Sequence, residues 1–247
     1  MIRRGRKVSL LLTSLGLAML MSTPAHAIFG FGVHGGFDFT SFGDKQFGAT
    51  QFADAAQAAG ITGFDVNKWG GVTLTREAID NPYLIGAHFY IDALPMLDIE
   101  ASIDASFQKY KFSYLSPNPS LSELNKEAIY GRVGAYATVK RDIIDLPMFA
   151  FYLGGGLGLH FVAPVAGADL VVDVIGSDDP SATKPDIKDN ISRETTMGYH
   201  ALTGIRFKPP IIPLAFRIEG KYTSTGASGM ERPDSVLSAY ITASIDI

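Results

Sequence analysis

Cysteine is absent, and that absence closes several routes at once. A disulfide framework, a lipid anchor on an N-terminal thiol and a thiolate metal site are all excluded. Charge is scarce: Asp, Glu, Lys and Arg make up 19% of the chain, with a formal net charge of −4. That balance leaves no basic footprint and excludes nucleic acid as a partner. No motif for a cofactor is present, so none is expected. Beyond Met21 there is no uninterrupted apolar run long enough for a membrane-crossing helix. Yet 47% of the 247 residues are hydrophobic, with 26 Gly, 16 Phe and 10 Tyr. Such a chain must spread its apolar residues through short stretches, and their period carries the information.

The first residues have an export pattern. Arg3, Arg4, Arg6 and Lys7 precede an apolar stretch from Val8 to Met21. Ala25, His26 and Ala27 then form a small-x-small cleavage box. The pattern predicts a cleaved signal peptide over 1–27 and one mature domain over 28–247.

The mature part reads as short strands joined by connections of two lengths. Strands are expected at Ile28–Thr40, Tyr83–Asp92, Leu97–Tyr114, Glu127–Arg141, Met148–Val162, Arg193–Phe207, Leu214–Thr223 and Val236–Ile247. The connections alternate long, short, long, short. The short ones carry Pro95, Pro147 and Pro213, where a strand must stop. Two of the long ones, 41–81 and 163–193, are sizeable enough to bind ligands or partners. The first holds a helix-like piece, Gln51 to Ala59, expected at a membrane surface or across a mouth. It also holds Trp69, expected as an interfacial anchor. The acidic residues of the second, Asp178, Asp179, Asp186 and Asp189, lack calcium-loop spacing. Residues 61–76 can supply one more hairpin, so ten strands remain open beside eight.

Parity separates two faces on every strand. One carries Phe29, Phe31, Val33, Phe37 and Phe39, then Ile99, Ala101, Ile103, Ala105 and Phe107, and equivalents elsewhere. The other carries Gly, Tyr, Ser, Thr and mixed charge. Aromatics of the apolar face gather at the strand ends, as interfacial girdles do. This places the apolar face against lipid and the polar face inside. The expected fold is all-β, an antiparallel up-and-down transmembrane β-barrel of about eight strands. Its turns are short on the periplasmic side and its loops long on the extracellular side.

An eight-stranded lumen is just wide enough for its side chains. The expected polar network is Asp98, Glu100, Asp104, Arg132, Lys140, Arg206, Arg217, Glu219 and Lys221, with Asp92, Glu194 and Asp246 on the same face. Glu100 and Asp104 are expected to approach Arg132 and Lys140 from the neighbouring strand. Charges buried this closely must pair. The result is either a salt-bridged plug or a narrow conduit for ions or small solutes. His34, His88, His160 and His200 share the inner face. With Asp38 or Asp92 they can form acid–base sets, but no spacing marks a metal site and no catalytic residue is assigned.

The export signal, the loop rhythm and the polar-in alternation together resemble small outer-membrane β-barrel proteins of the OmpA-transmembrane-domain, OmpX and OmpW kind. The resemblance covers nearly all of 28–247. It implies the bacterial outer membrane as location, its lipid and the barrel-assembly machinery as partners, and a structural, adhesion-related or porin-like role without enzyme activity.

Overall fold

The computed structural model describes residues 29–94, 97–163, 165–176, 180, 194–209, 213–226 and 233–246. The expected signal peptide, Glu194 and Asp246 as side chains, and the acidic positions 178, 179, 186 and 189 lie outside the described part. The elements are β1 (Phe29–Asp38), β2 (Ser41–Phe42), β3 (Lys45–Phe47), α1 (Ala49–Ala58), β4 (Thr73–Arg76), β5 (Ile79–Asp80), β6 (Tyr83–Leu94), β7 (Leu97–Leu115), β8 (Glu123–Asp145), β9 (Phe149–Val162), α2 (Ala168–Ile175), β10 (Glu194–Phe207), β11 (Leu214–Ser224) and β12 (Ser235–Asp246).

Alternating side chains make each strand two-faced, and a sheet with one face to hide closes on itself. The ring runs β7-β6-β1-β12-β11-β10-β9-β8 and returns to β7. Every pairing in it is antiparallel. The first and last strands meet, with Gly30 opposite Asp246 and Phe31 opposite Ile245. Closure leaves no unpaired sheet edge along the ring, which is what an apolar surrounding demands of a backbone. Among the described residues no helix is long and apolar enough to cross a membrane.

The apolar face is outside. Ile218, Ile241, Leu157 and Ile103 are all exposed, as are Phe31, Phe37, Tyr83 and Phe149 toward the strand ends. The buried side chains inside the ring are mostly polar or charged: Asp38, Glu100, Asp104, Arg132, Lys140, Arg217, Glu219 and Lys221. A water-soluble barrel has the opposite arrangement. An apolar belt encircling a whole tube far exceeds the patches soluble monomers leave open, so the belt faces lipid.

β7 and β8 outrun the other strands at the loop end, and a cap is built on that extension. β4 pairs with β7 outside the ring, Thr73 opposite Leu115 and Arg76 opposite Phe112, and β3 pairs with β4. The 61–76 segment therefore adds no ring hairpin: the barrel has eight strands and the extra pair belongs to the cap. Over this sheet α1 and α2 enclose an apolar core of Phe47, Phe52, Trp69, Leu74, Tyr114 and Val171.

Two readings change here. Trp69 is no interfacial anchor, being buried between Phe52 (4.8 Å between ring centroids) and Phe64 (5.1 Å). Part of the 163–193 connection is a helix rather than open loop. Leu170, Val171, Val172 and Ile175 of α2 are buried, and its end is set by Gly176 at φ 62°, a positive φ that glycine adopts without strain. The expected helix at 51–59 is observed at Ala49–Ala58, with Phe52, Ala55 and Ala56 buried in the cap core.

Candidate functional site

The polar face of the strands meets itself inside the ring, in layers. Nearest the short turns, Arg206 donates to Asp98 (3.2 Å) and Asp142 (2.6 Å), and this layer is partly open. Asp92 lies at the same end and is half-buried.

In the next layer Lys140 Nζ donates to both Glu100 (2.7 Å) and Glu219 (2.6 Å). Arg217 donates to Glu100 (3.0 Å) and stacks over the Tyr90 ring at 4.4 Å. The Tyr152 hydroxyl donates to Glu219 at 2.5 Å.

At mid-barrel Asp104 is held by Lys221 and by His34 Nε2 (2.8 Å). Lys221 Nζ sits 3.9 Å from the Tyr136 ring centroid. The layer under the cap is built on Asp38, which accepts from Arg132 Nη2 (2.7 Å), Ser238 (2.6 Å) and Ser106. Arg132 also donates to the Tyr136 hydroxyl at 2.8 Å.

Register explains how so much fits. Aromatic, charged and hydroxyl side chains interleave with glycine along the cross-strand rows. One row runs Gly30, Tyr90, Glu100, Thr138, Gly156, His200. Another runs His34, Gly86, Asp104, Gly134, His160. Each ring lies over the gap a glycine leaves. A Cβ at Gly86 would stand 2.2 Å from His34 Nε2, and one at Gly30 2.2 Å from Tyr90 Cζ.

Charge is balanced where burial is deepest. Asp38, Glu100, Asp104 and Glu219 face Arg132, Lys140, Arg217 and Lys221, and each carboxylate touches a cation. Removing one partner of such a pair costs roughly 3–5 kcal/mol, because the survivor is left buried and unpaired. The network therefore ties strands to one another across the inside of the tube.

All nine expected lumen charges face inward, but one expected pairing is different. Arg132 does not meet Glu100 or Asp104. It stands opposite Ser106 in register and reaches across the lumen to Asp38. Parity names the face of a residue, not its partner across a tube. Lys140 meets Glu100 as expected, and also Glu219. Parity puts Asp38, Tyr90, Tyr136, Tyr152 and Tyr240 on the inner face but does not mark them as members of the network, and Asp142 is missed because it reads as turn.

The four expected histidines are buried on the inner wall. His34 and His88 stack at 5.9 Å, whereas His160 and His200 flank Tyr136. Among the described residues no three His, Cys, Asp or Glu side chains are grouped to hold a metal ion.

No protein-family model matches the chain, and no curated protein matches it. Solved structures similar to it include the N-terminal β-barrel domain of OprF from Pseudomonas aeruginosa, at 6% identity over 90% of this chain and 98% of that one, TM-score 0.43. Neisserial surface protein A is similar at 13% identity over 89% and 96%, TM-score 0.43. Ail of Yersinia pestis is similar at 9% identity over 89% and 95%, TM-score 0.41. These are distant likenesses of shape. The eight-stranded ring stands on the registers of this chain itself.

Proposed function

We propose that this chain is an integral protein of a bacterial outer membrane, a sealed barrel with a structural or surface-interaction role and no enzyme activity. The observation that carries this reading is a lipid-facing apolar belt around a lumen filled by balanced ion pairs. A tube needs such an exterior only in a bilayer. The interior supports a plug more than a pore: each deep carboxylate touches a cation, and an apolar core is built on β7 and β8 at the loop end. In this reading the chain spans the membrane with its short turns in the periplasm and presents the cap outside. The 41–81 and 163–193 regions then offer the surface for extracellular partners.

Two measurements test it. Membrane-extracted protein should migrate faster on gels unheated than boiled, and a freely soluble protein would overturn the membrane reading. In planar bilayers at neutral pH it should show no stable unitary conductance. Steps of conductance that change when Glu100 or Arg132 is neutralised would overturn the plug in favour of a conduit for ions or small solutes.

A further inference from the structure

The histidines of the lumen are not used by the ion-pair ladder in the same way. His34 is tied to Asp104, but His88, His160 and His200 carry ring nitrogens without a partner among the described residues: Nε2 of His88, both nitrogens of His160 and Nδ1 of His200. His160 and His200 meet the Tyr136 ring edge-on, at 5.4 and 5.1 Å between centroids. The second nitrogen of His200 contacts Thr138 Oγ1 at 2.9 Å. Glycines close around both rings. A Cβ at Gly158 or Gly198 would stand 3.0 Å from His160 Nε2, and one at Gly156 3.0 Å from His200 Cε1.

The surroundings of His160 are cationic, whereas those of His200 and His88 hold cations and carboxylates in equal number. Facing His160 are Arg132 from β8, Lys221 from β11 and His200 from β10, with Asp104 of β7 the carboxylate in range. Facing His200 are Lys221, Lys140, Asp104 and Glu100. Facing His88 are Arg217 and Lys140, with Glu100 and Glu219. Every one of these carboxylates is already engaged: Asp104 by Lys221 and His34, Glu100 by Lys140 and Arg217, Glu219 by Lys140. A second proton on His160 or His200 therefore adds positive charge to an interior that is balanced without it. A buried charge lacking a counter-ion is costly, so the lumen must rearrange or admit water.

We propose that the His160–Tyr136–His200 cluster is an acid-sensitive element of the barrel. Its imidazoles stay neutral while the lumen is closed. Acid charges them, sets them in competition with Lys221 for Asp104, and loosens the mid-barrel layers. The idea rests on the sealed-lumen reading above.

The test compares wild type with the double variant His160→Gln/His200→Gln, reconstituted in planar bilayers and in detergent. Heat-modifiable migration at neutral pH first shows that the variant folds. Between neutral pH and about pH 4, a range that spans histidine titration, wild type should gain ion leakage several-fold and lose melting temperature. The double variant should keep most of its melting temperature and leak little. A wild type unchanged in both readouts overturns the proposal. So does an equal response in the double variant, which would assign the effect to carboxylates such as Asp104 and Glu100. Conductance already present at neutral pH would instead overturn the plug, and the acid-dependent increment would still decide this proposal.

Discussion

The lumen and the cap fill the same tube by opposite means. Below the rim the interior is ion pairs, tyrosines and glycine, whereas above it the interior is Phe52, Trp69, Leu74, Val171 and other apolar side chains. The change occurs within single strands. Along β7 the inward residues are Asp98, Glu100, Ser102, Asp104, Ser106 and Gln108, then Tyr110, Phe112 and Tyr114. The outward ones are Ile99, Ala101, Ile103, Ala105 and Phe107, then Lys109, Lys111 and Ser113. β8 does the same, with Glu127 outward and Ala128 inward beyond the membrane part. Parity is unbroken while polarity inverts. What inverts is the solvent outside: lipid up to Phe107, water from Lys109 onward. The polar lumen is thus the consequence of spending the apolar residues on the outer wall.

The comparison predicts that the lumen punishes loss of a single partner most. Arg132→Met should destabilise the barrel by roughly 3–5 kcal/mol, because Asp38 is left buried and charged. The double variant Arg132→Met/Asp38→Asn should recover much of that loss. Urea-induced unfolding in lipid vesicles reads both. Equal losses in the single and double variants would mean that the pair acts by packing alone.

A smaller effect tests the boundary itself. Ile103→Lys puts a cation on the lipid face near mid-depth and should cost about 2–4 kcal/mol. Leu115→Lys makes the same cation on the outward face of the same strand, above the inversion, where the side chain is exposed, and should cost less than half as much. Similar costs at the two positions would move the membrane boundary or remove it.

These regions also differ in how far the sequence discloses them. Strand periodicity of two, sustained from Leu97 to Phe107 or Leu237 to Ile245, is enough to place a wall and its two faces. The same parity placed Arg132 and Lys140 inside. It could not join Arg132 to Asp38, which lie 94 positions apart and meet only when the ring closes. The cap was less legible because no long period runs through it. Its core gathers residues from α1, the segment around Trp69, β4, β7, β8 and α2. Each contributes a short piece, and α2, with Leu170, Val171 and Val172 in sequence, has no marked polar face to announce a helix. One signal was present and unread: the polarity switch at Lys109 within a strand whose alternation continues.

The smallest expected effect lies in the cap, where polar groups carry little of the stability. Tyr114 is buried, and its hydroxyl has no hydrogen-bond partner among the described residues. Burial pushes that hydroxyl up to about 12, from an ordinary value of 10.0. Tyr114→Phe removes an unsatisfied group and keeps the ring, so at neutral pH the change should be within about 1 kcal/mol and can be stabilising. The pH profile separates this from simple tolerance. Between pH 10 and about 12 the unfolded chain ionises at Tyr114 while the folded cap does not, so the unfolded state binds fewer protons and stability falls as pH rises. Wild type should lose cap stability across that window, and Tyr114→Phe should lose less. Limited proteolysis of the 41–81 segment at neutral and alkaline pH reads the difference. If Tyr114→Phe instead destabilised the cap at neutral pH as strongly as Arg132→Met destabilises the barrel, the contrast between an apolar cap and an ion-paired lumen would be wrong.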